Sequence, residues 1–323
     1  MRPTGKLHLG HLVGALENWV ALQQEYNNYH LIADYHALTT NPDSSHIEEN
    51  SIDMVIDWLA AGIEPARSPI FRQSQIKEHT ELHLILSMLI TAARLERNPA
   101  VKDQVRELHI DNVSYGHLGY PVLQAADILL YKGDLVPVGE DQVPHVEISR
   151  EIARRFNNQY GAVFPEPEPK LTRFSRLPGL DGMDRKMSKS SGNTVLLSDT
   201  PDEIQRKMRT AVTDPQKIRK NDPGRPEVCL VFTYHKRFNP TEAPQIEADC
   251  RSGVLGCVEC KRRIAAKVSD VLAPFREKRA YYEAHTGEVK QILAEGEQRA
   301  RTRARETMTE VRRTMKLGEE CTG

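Results

Sequence analysis

The sequence has few cysteines, few aromatic residues and almost no net charge. Its 323 residues include five cysteines and two tryptophans, aromatic residues make up 6%, and the formal net charge is -1. Five thiols in a chain of this length exclude the dense disulfide framework of a small secreted domain. A net charge this close to zero gives no global attraction to nucleic acid.

Long apolar runs are also lacking. The most extended one, LHLILSMLITAA at 82–93, is shorter than the roughly 20 residues that a membrane-spanning helix needs, so we expect a buried core helix. No signal peptide precedes the first motif. We therefore expect a cytoplasmic protein with no membrane association and with reduced cysteines.

Strand-like and helical segments alternate through the first 200 residues. Strand-length apolar runs lie at 29–34, 69–74 and 134–138, and helical periodicity covers about 8–26, 45–62 (with Ser45-x-x-Glu48 as a capping box), 79–96 and 118–132. Strands separated by helices predict a doubly wound parallel sheet of Rossmann type, hence an α/β fold class. We assign this domain to residues 1–200.

The remainder of the chain reads as helical. Thr200 and Pro201 form a helix start, and long amphipathic helices are predicted at 258–283 and 286–315. We assign residues 201–323 to an all-helical C-terminal domain. Residues 299–316 are locally basic, which is typical of a solvated helix face; an RNA-facing surface is the alternative.

Two histidines flank a glycine where the first helix begins. PTGKLHLGHLVGAL at 3–16 places His8, Gly10 and His11 in the first helical turn, where unpaired N–H groups and the helix dipole favour an anion. Gly10 has no side chain, so a flat ligand can lie against the backbone. We expect a phosphate-bearing ligand; a plain surface helix start with two solvated histidines is the alternative.

A second basic segment, DRKMSKSSGNTV, lies at 184–195. Its small residues favour a mobile loop, and the ammonium groups of Lys186 and Lys189 can stabilise the charge on a leaving pyrophosphate. HLGH followed by KMSKS resembles the two hallmark motifs of the class I aminoacyl-tRNA synthetases.

Three further segments narrow this resemblance. GYPVLQAADILLY at 119–131 places Tyr120, Gln124 and Asp127 on one helix face. Two more, VPVGEDQ at 136–142 and IADYHALT at 32–39, place polar residues at the carboxyl ends of strands. Together they resemble the bacterial tryptophanyl-tRNA synthetases over nearly the whole chain.

The resemblance implies a role for each motif residue. Asp127 would accept the indole N–H of tryptophan, and the amino-acid site as a whole would comprise His36, Tyr120, Gln124, Asp127 and Gln142. ATP would contact Thr4, Gly10, His11, Gly139, Asp141, Lys186, Ser188 and Lys189. Catalysis would fall to His8, His11, Lys186 and Lys189.

The implied reaction has two steps. The carboxylate of tryptophan attacks the α-phosphate of ATP, with Mg²⁺ screening the phosphates, and the resulting adenylate then acylates tRNA(Trp). The helical domain would read unpaired anticodon bases, and the enzyme would be a homodimer.

Three other functions remain open at this point. A tyrosyl-tRNA synthetase differs only in its pocket, and Gln124 with Asp127 matches the Gln-x-x-Asp pattern of those enzymes. A small-molecule nucleotidylyltransferase shares the H-x-G-H element but lacks the lysine loop. A non-catalytic paralogue would act as an RNA-binding or regulatory module. The bacterial family also has a strand before the first motif, whereas this sequence has Met1-Arg2-Pro3 there. Without that strand, the floor of the amino-acid pocket would be built differently.

Four of the cysteines share a compact spacing. Cys229, Cys250, Cys257 and Cys260 follow C-x20-C-x6-C-x2-C, which suits a tetrahedral zinc ion or a [4Fe–4S] cluster. A subgroup of the bacterial family looks similar here and carries an iron–sulfur site. Four unconnected reduced cysteines are the alternative.

Overall fold

The strands of this protein are short and form parallel pairs. The structure, a computed structural model, describes residues 1–107, 110–171, 177–189 and 191–318. Strand β1 (His30–Ile32) pairs in parallel with β2 (Ile70–Arg72), and β3 (Leu135–Val138) with β4 (Glu168–Leu171). Over the described residues the four strands form two separate two-stranded sheets. The predicted parallel pairing is therefore confirmed, although the two pairs are not joined into one ladder.

Helices connect and cover these strands. In chain order they are α1 (Leu9–His11), α2 (Glu17–Leu22), α3 (Asp34–Leu38), α4 (Ile47–Ala61), α5 (Glu78–Ser87), α6 (Ala92–Glu96), α7 (Pro99–Glu107), α8 (Tyr115–Leu129), α9 (Val143–Tyr160), α10 (Pro201–Thr210), α11 (Leu230–Phe238), α12 (Ala243–Arg251), α13 (Cys257–Ala284) and α14 (Thr286–Met315). A π-helical turn, Leu12–Leu16, separates α1 from α2, so the first predicted helix is interrupted just after its histidines. Such turns often occur at functional sites.

Of the two helix N-caps predicted from the sequence, one is confirmed and one is wrong. Thr200 caps α10 as predicted, and it forms a capping box with Glu203. Ser45 does not cap α4, whose N-cap is His46 without a side-chain bond. The reason is a local turn: the backbone N–H of Ser45 donates to the carboxylate of Asp43 at 2.9 Å, which places the serine before the helix.

The last helix packs back onto the first half of the chain. Helix α14 contacts β2, α5 and α4, and at Gly296 the approach is so close that a Cβ would lie 2.0 Å from the carbonyl oxygen of Ile70. Only glycine permits this distance. The core residues accordingly include members from both halves of the chain.

The basic side chains of α14 are used largely in this packing. Arg299 donates to the carbonyl of Pro65 at 2.6 Å, and Arg301 to that of Gln75 at 3.1 Å. Further along the helix, Arg305 and Arg312 pair with Glu78 and Glu81 of α5. The basic segment is therefore a docking face between α14 and the α/β region as well as a partly solvated helix surface.

No helix in the described part of the chain is long and apolar enough to cross a membrane.

A cavity of about 860 Å³ lies between the two strand pairs. Residues of β1 and β3 line it, together with Asp127 and Tyr131. Met1 runs alongside β1, since its amino group donates to the carbonyl of Leu31 at 2.7 Å and the N–H of Ala33 donates to Met1 at 2.8 Å. Met1 is thus held against β1 by backbone hydrogen bonds.

Candidate active site

The two motifs that are distant in sequence are joined by backbone hydrogen bonds. The N–H of Leu9 donates to the carbonyl of Val195 at 2.9 Å, and the N–H of Leu197 to that of Leu7, also at 2.9 Å. His8 and Leu196 form an antiparallel bridge. The segment that follows KMSKS therefore lies directly against HLGH.

The two histidines of HLGH form a compact pair at the start of α1. His8 is the N-cap, its backbone N–H donates to Nδ1 of His11 at 3.2 Å, and the ring centroids are 3.8 Å apart. Burial, reinforced by the ammonium groups of Lys189 and Lys186, lowers the pKa of His8 to about 4. Burial, followed by His8 and the same lysines, lowers the pKa of His11 to about 3. Both rings are neutral at pH 7 and can donate one hydrogen bond each.

Lys189 lies over the turn that precedes HLGH. Its ammonium group donates to the backbone carbonyl of Thr4, and to that of Lys6 at 3.0 Å. Burial lowers the pKa of Lys189. Gly5 makes the turn possible, because its φ of +82° is disfavoured for residues with a side chain. The structure thus brings Thr4, Lys189 and the histidine pair together, as predicted for a phosphate site.

Asn193 holds the lysine loop in place, although it belongs to neither sequence motif. Its buried side chain accepts the N–H of Ser188 at 2.8 Å and donates to the carbonyl of Lys186 at 3.0 Å and to Asp181 at 2.7 Å. One amide therefore fixes the backbone on both sides of Met187. A sequence reader could have suspected it only from an asparagine placed just after a glycine in a loop.

A second cavity, of about 600 Å³, is lined by all five residues predicted for the amino-acid site. Its lining includes the predicted residues His36, Tyr120, Gln124, Asp127, Asp141, Gln142 and Lys186. The lining does not include the other predicted site residues, namely Thr4, His8, Gly10, His11, Gly139, Ser188 and Lys189. Lys186 connects the two groups, because it lines the cavity and its charge acts on both histidines of HLGH.

Tyr120 is fixed by a histidine that the motif analysis missed. Its hydroxyl lies 2.9 Å from Nε2 of His145, which is buried on α9. Burial raises the pKa of Tyr120 to about 12 and lowers that of His145 to about 4. The tyrosine hydroxyl is thus protonated and the imidazole neutral, and together they form a neutral polar wall of the cavity.

Asp127 is surrounded by hydrogen-bond donors. Nε2 of His36 lies 2.8 Å from Oδ2, while Oδ1 lies 2.7 Å from Nδ1 of His79 and accepts from Nε2 of Gln73, also at 2.7 Å. Burial by itself would raise the pKa of Asp127, but the bonds from His36 and His79 outweigh it and hold that pKa well below its usual range. The cavity therefore contains a permanent carboxylate.

The residues after β3 form the polar rim of the same cavity. Gly139 precedes a short 3-10 turn, Glu140–Gln142, and a Cβ on it would lie 2.8 Å from Oδ1 of Asp141. Gln142 donates to Asp141 at 3.0 Å. The position suits a ribose at the carboxyl edge of the strands.

The four cysteines lie away from this site, around α11–α13. All four are free thiols, and their charges act on one another: the pKa of Cys260 is raised to about 12 by burial first, and then by Cys229, Cys250 and Cys257. Even so, no group of three or more His, Cys, Asp or Glu side chains among the described residues is arranged to hold a metal ion.

Comparison with known proteins gives a consistent result. The family described as tRNA synthetases class I (W and Y) matches residues 1–273. The chain is 49% identical to the tryptophan–tRNA ligase of Thermotoga maritima and 44% identical to that of Aquifex aeolicus, with 98% of each chain covered in both cases.

Solved structures agree with these relatives. The tryptophanyl-tRNA synthetase of Campylobacter jejuni, crystallised with ADP and tryptophan, superposes with a TM-score of 0.87 at 33% identity and covers 98% of both chains. A tyrosyl-tRNA synthetase from Archaeoglobus fulgidus matches with a TM-score of 0.67 at 22% identity, and this likeness concerns the fold alone. The chain belongs to the class I aminoacyl-tRNA synthetases, among the bacterial tryptophan–tRNA ligases.

Proposed function

We propose that this protein activates tryptophan with ATP, releasing pyrophosphate, and transfers the tryptophanyl group to tRNA(Trp) in the cytoplasm. One observation carries the proposal. The fold places HLGH and the lysine loop in backbone contact, and Lys186 extends from that loop to a cavity whose lining includes Tyr120 and Asp127. Such a site can hold a polyphosphate and a polar aromatic amino acid side by side.

On the phosphate side, the chain supplies donors and positive charge. The neutral rings of His8 and His11 donate hydrogen bonds, and Lys186 and Lys189 stabilise the charge that grows on the leaving pyrophosphate. The motif side chains here are imidazoles and ammonium groups, which do not bind Mg²⁺, so its ligands would come mainly from the phosphates. When bound, Mg²⁺ neutralises phosphate charge.

On the amino-acid side, the chain supplies orientation. Asp127 accepts the indole N–H, Tyr120 and Gln142 hold the amino group, Gln124 lies on the same cavity wall, and His36 lies towards the carboxylate. The carboxylate of tryptophan is itself the nucleophile, so positioning supplies most of the acceleration. Gly10, Gly139 and Asp141 take the adenosine, with Thr4 and Ser188 contacting the phosphates.

We also propose a homodimer that binds tRNA through its helical part. Leu84 on α5 and Met88, which caps that helix, are exposed, as are Val113 and Tyr115 at the start of α8. A group of large apolar side chains on the surface is typical of a protein interface. The helical domain at 201–323 would read the anticodon bases.

The four cysteines are proposed to hold a [4Fe–4S] cluster or a zinc ion. The support is the spacing alone: four thiols in C-x20-C-x6-C-x2-C order, a donor set that suits either group. The group would tie α11, α12 and α13 together and take no part in adenylate formation.

The test is amino-acid-dependent exchange between ATP and pyrophosphate, run with tryptophan and tyrosine side by side. We expect exchange with tryptophan only. Exchange with tyrosine would favour the tyrosyl enzyme, and no exchange with either would favour a non-catalytic RNA-binding role. Esterification of tRNA(Trp) then tests the second step.

A further inference from the structure

We propose that His79 and Tyr131 form a buried relay that positions Asp127, so that its Oδ2 offers one acceptor position to the ring N–H of the substrate. This inference rests on the proposed function, because it takes Asp127 as the acceptor of the indole N–H. Neither His79 nor Tyr131 lines the amino-acid cavity. They are therefore positioning residues, which act through Asp127.

The hydrogen positions of the relay follow from the donor and acceptor types. A carboxylate only accepts, so Nδ1 of His79, at 2.7 Å from Oδ1 of Asp127, carries a hydrogen. Nε2 of the same ring lies 2.9 Å from the hydroxyl of Tyr131. In the tautomer with its hydrogen on Nδ1, Nε2 accepts, and the tyrosine hydroxyl donates to it. Burial raises the pKa of Tyr131 far above its ordinary value, which keeps the hydroxyl protonated.

Counting the bonds on Asp127 identifies the free acceptor position. A carboxylate has about four acceptor positions, two on each oxygen. Among the described residues, Gln73 donates to Oδ1, and Nδ1 of His79 lies 2.7 Å from the same oxygen. On Oδ2 one is used, by His36, which lines the amino-acid cavity. Of the contacts that the described residues make, Oδ2 has this one alone, so we place the remaining acceptor position on Oδ2, beside His36.

The burial of these groups explains why the relay can specify a substrate. His79 is fully buried, and Tyr131 is 9% exposed and packs against Phe71 and Tyr29. Because His79 is shielded from water and the contacts of Asp127 come from three side chains, the carboxylate has little freedom to rotate. A ligand without a ring N–H leaves a buried acceptor unpaired, and this costs affinity.

The experiment compares Tyr131→Phe with Tyr29→Phe. Tyr29 stacks on Tyr131 with ring centroids 4.8 Å apart, so the control removes a hydroxyl from the same aromatic cluster outside the relay. The measured quantity is kcat/KM in pyrophosphate exchange, for tryptophan and for an analogue with sulfur in place of the ring N–H. For Tyr131→Phe we expect the preference for tryptophan over the analogue to fall about tenfold. The fall should come from a higher KM for tryptophan, while KM for ATP stays unchanged. Tyr29→Phe should keep the wild-type preference.

The other outcomes are decisive as well. Equal losses in both variants would assign the effect to aromatic packing and overturn the relay. Asp127→Asn, measured beside them, separates the relay from the function it rests on. If Asp127→Asn loses the preference while Tyr131→Phe keeps it, the relay is wrong and the site assignment stands. If Asp127→Asn keeps the preference, Asp127 is not the acceptor of the indole N–H. The site assignment and the relay are then both wrong.

Discussion

The phosphate side and the amino-acid side of the site are built in different ways. On the phosphate side, backbone bonds join HLGH to the segment after KMSKS, and Lys189 donates to main-chain carbonyls. On the amino-acid side, side chains bond to side chains around Asp127. The first arrangement leaves cations that can exchange a carbonyl for a phosphate, whereas the second fixes an acceptor in advance. Substitutions on the two sides should therefore affect different steps.

The largest effect is expected from the lysines. Lys186→Ala and Lys189→Ala should each slow adenylate formation by about 10²–10³-fold, because the charge that they stabilise appears only as pyrophosphate leaves. The affinity for tryptophan should change little. Pre-steady-state activation measured beside tryptophan binding tests this, with Lys290→Ala, an exposed residue of α14, as the control. Parallel losses of rate and affinity would contradict the division between the two sides.

A smaller loss is expected on the amino-acid side. Asp127→Asn should raise KM for tryptophan by about 10–100-fold, because an amide oxygen is a weaker acceptor than a carboxylate and its NH₂ can turn towards the indole. Preference over tyrosine should fall as well. Asp103→Asn is the matched control, since Asp103 lines the same cavity and its ion pair among the described residues is with Arg106 of its own helix. If Asp127→Asn has the wild-type KM for tryptophan, Asp127 does not bind the indole N–H.

The pH dependence should be slight on the phosphate side. The pKa values of His8 and His11 are lowered to about 4 and 3, so both rings stay neutral until the pH falls towards about 5. Adenylate formation at saturating substrates should then change less than about twofold between pH 8 and pH 6. A rate that fell with an apparent pKa near 6.5 would show that a histidine of ordinary pKa takes part.

The smallest effect on activation is expected from the cysteines. Cys257→Ser should abolish bound metal, about four irons or one zinc per chain in anaerobically purified protein, and leave adenylate formation unchanged. Cys321, the fifth cysteine, lies outside both the spacing and the described residues, so Cys321→Ser is the control. If the wild-type protein contains no metal, the four thiols are separate reduced cysteines.

Sequence alone predicted those features that depend on local pattern. The long helices at 258–283 and 286–315 were predicted to within about a residue of α13 and α14, because their periodicity is continuous. The family and its two motifs were also evident from short segments. The Ser45 cap was predicted wrongly, since a neighbouring Asp43 competes for the same turn.

The supporting residues could not be predicted in this way. His145 acts on Tyr120 from another helix, and His79 reaches Asp127 across 48 positions of sequence, so neither contact leaves a local signal. Nor did the basic run on α14 indicate that Arg299 and Arg312 would bond to the α/β region. Such contacts depend on which elements meet in the fold, and a short window of sequence does not contain that information.

The close approach of Gly296 to Ile70 has a consequence for synthesis on the ribosome. Strand β2 is synthesised long before the helix that covers it, α14. Until α14 has emerged, the apolar face of β2 and α5 lacks its cover, and the nascent chain carries an unfinished core. The first half of this chain therefore completes its packing only after α14 has been made, in contrast to chains whose N-terminal domain folds first.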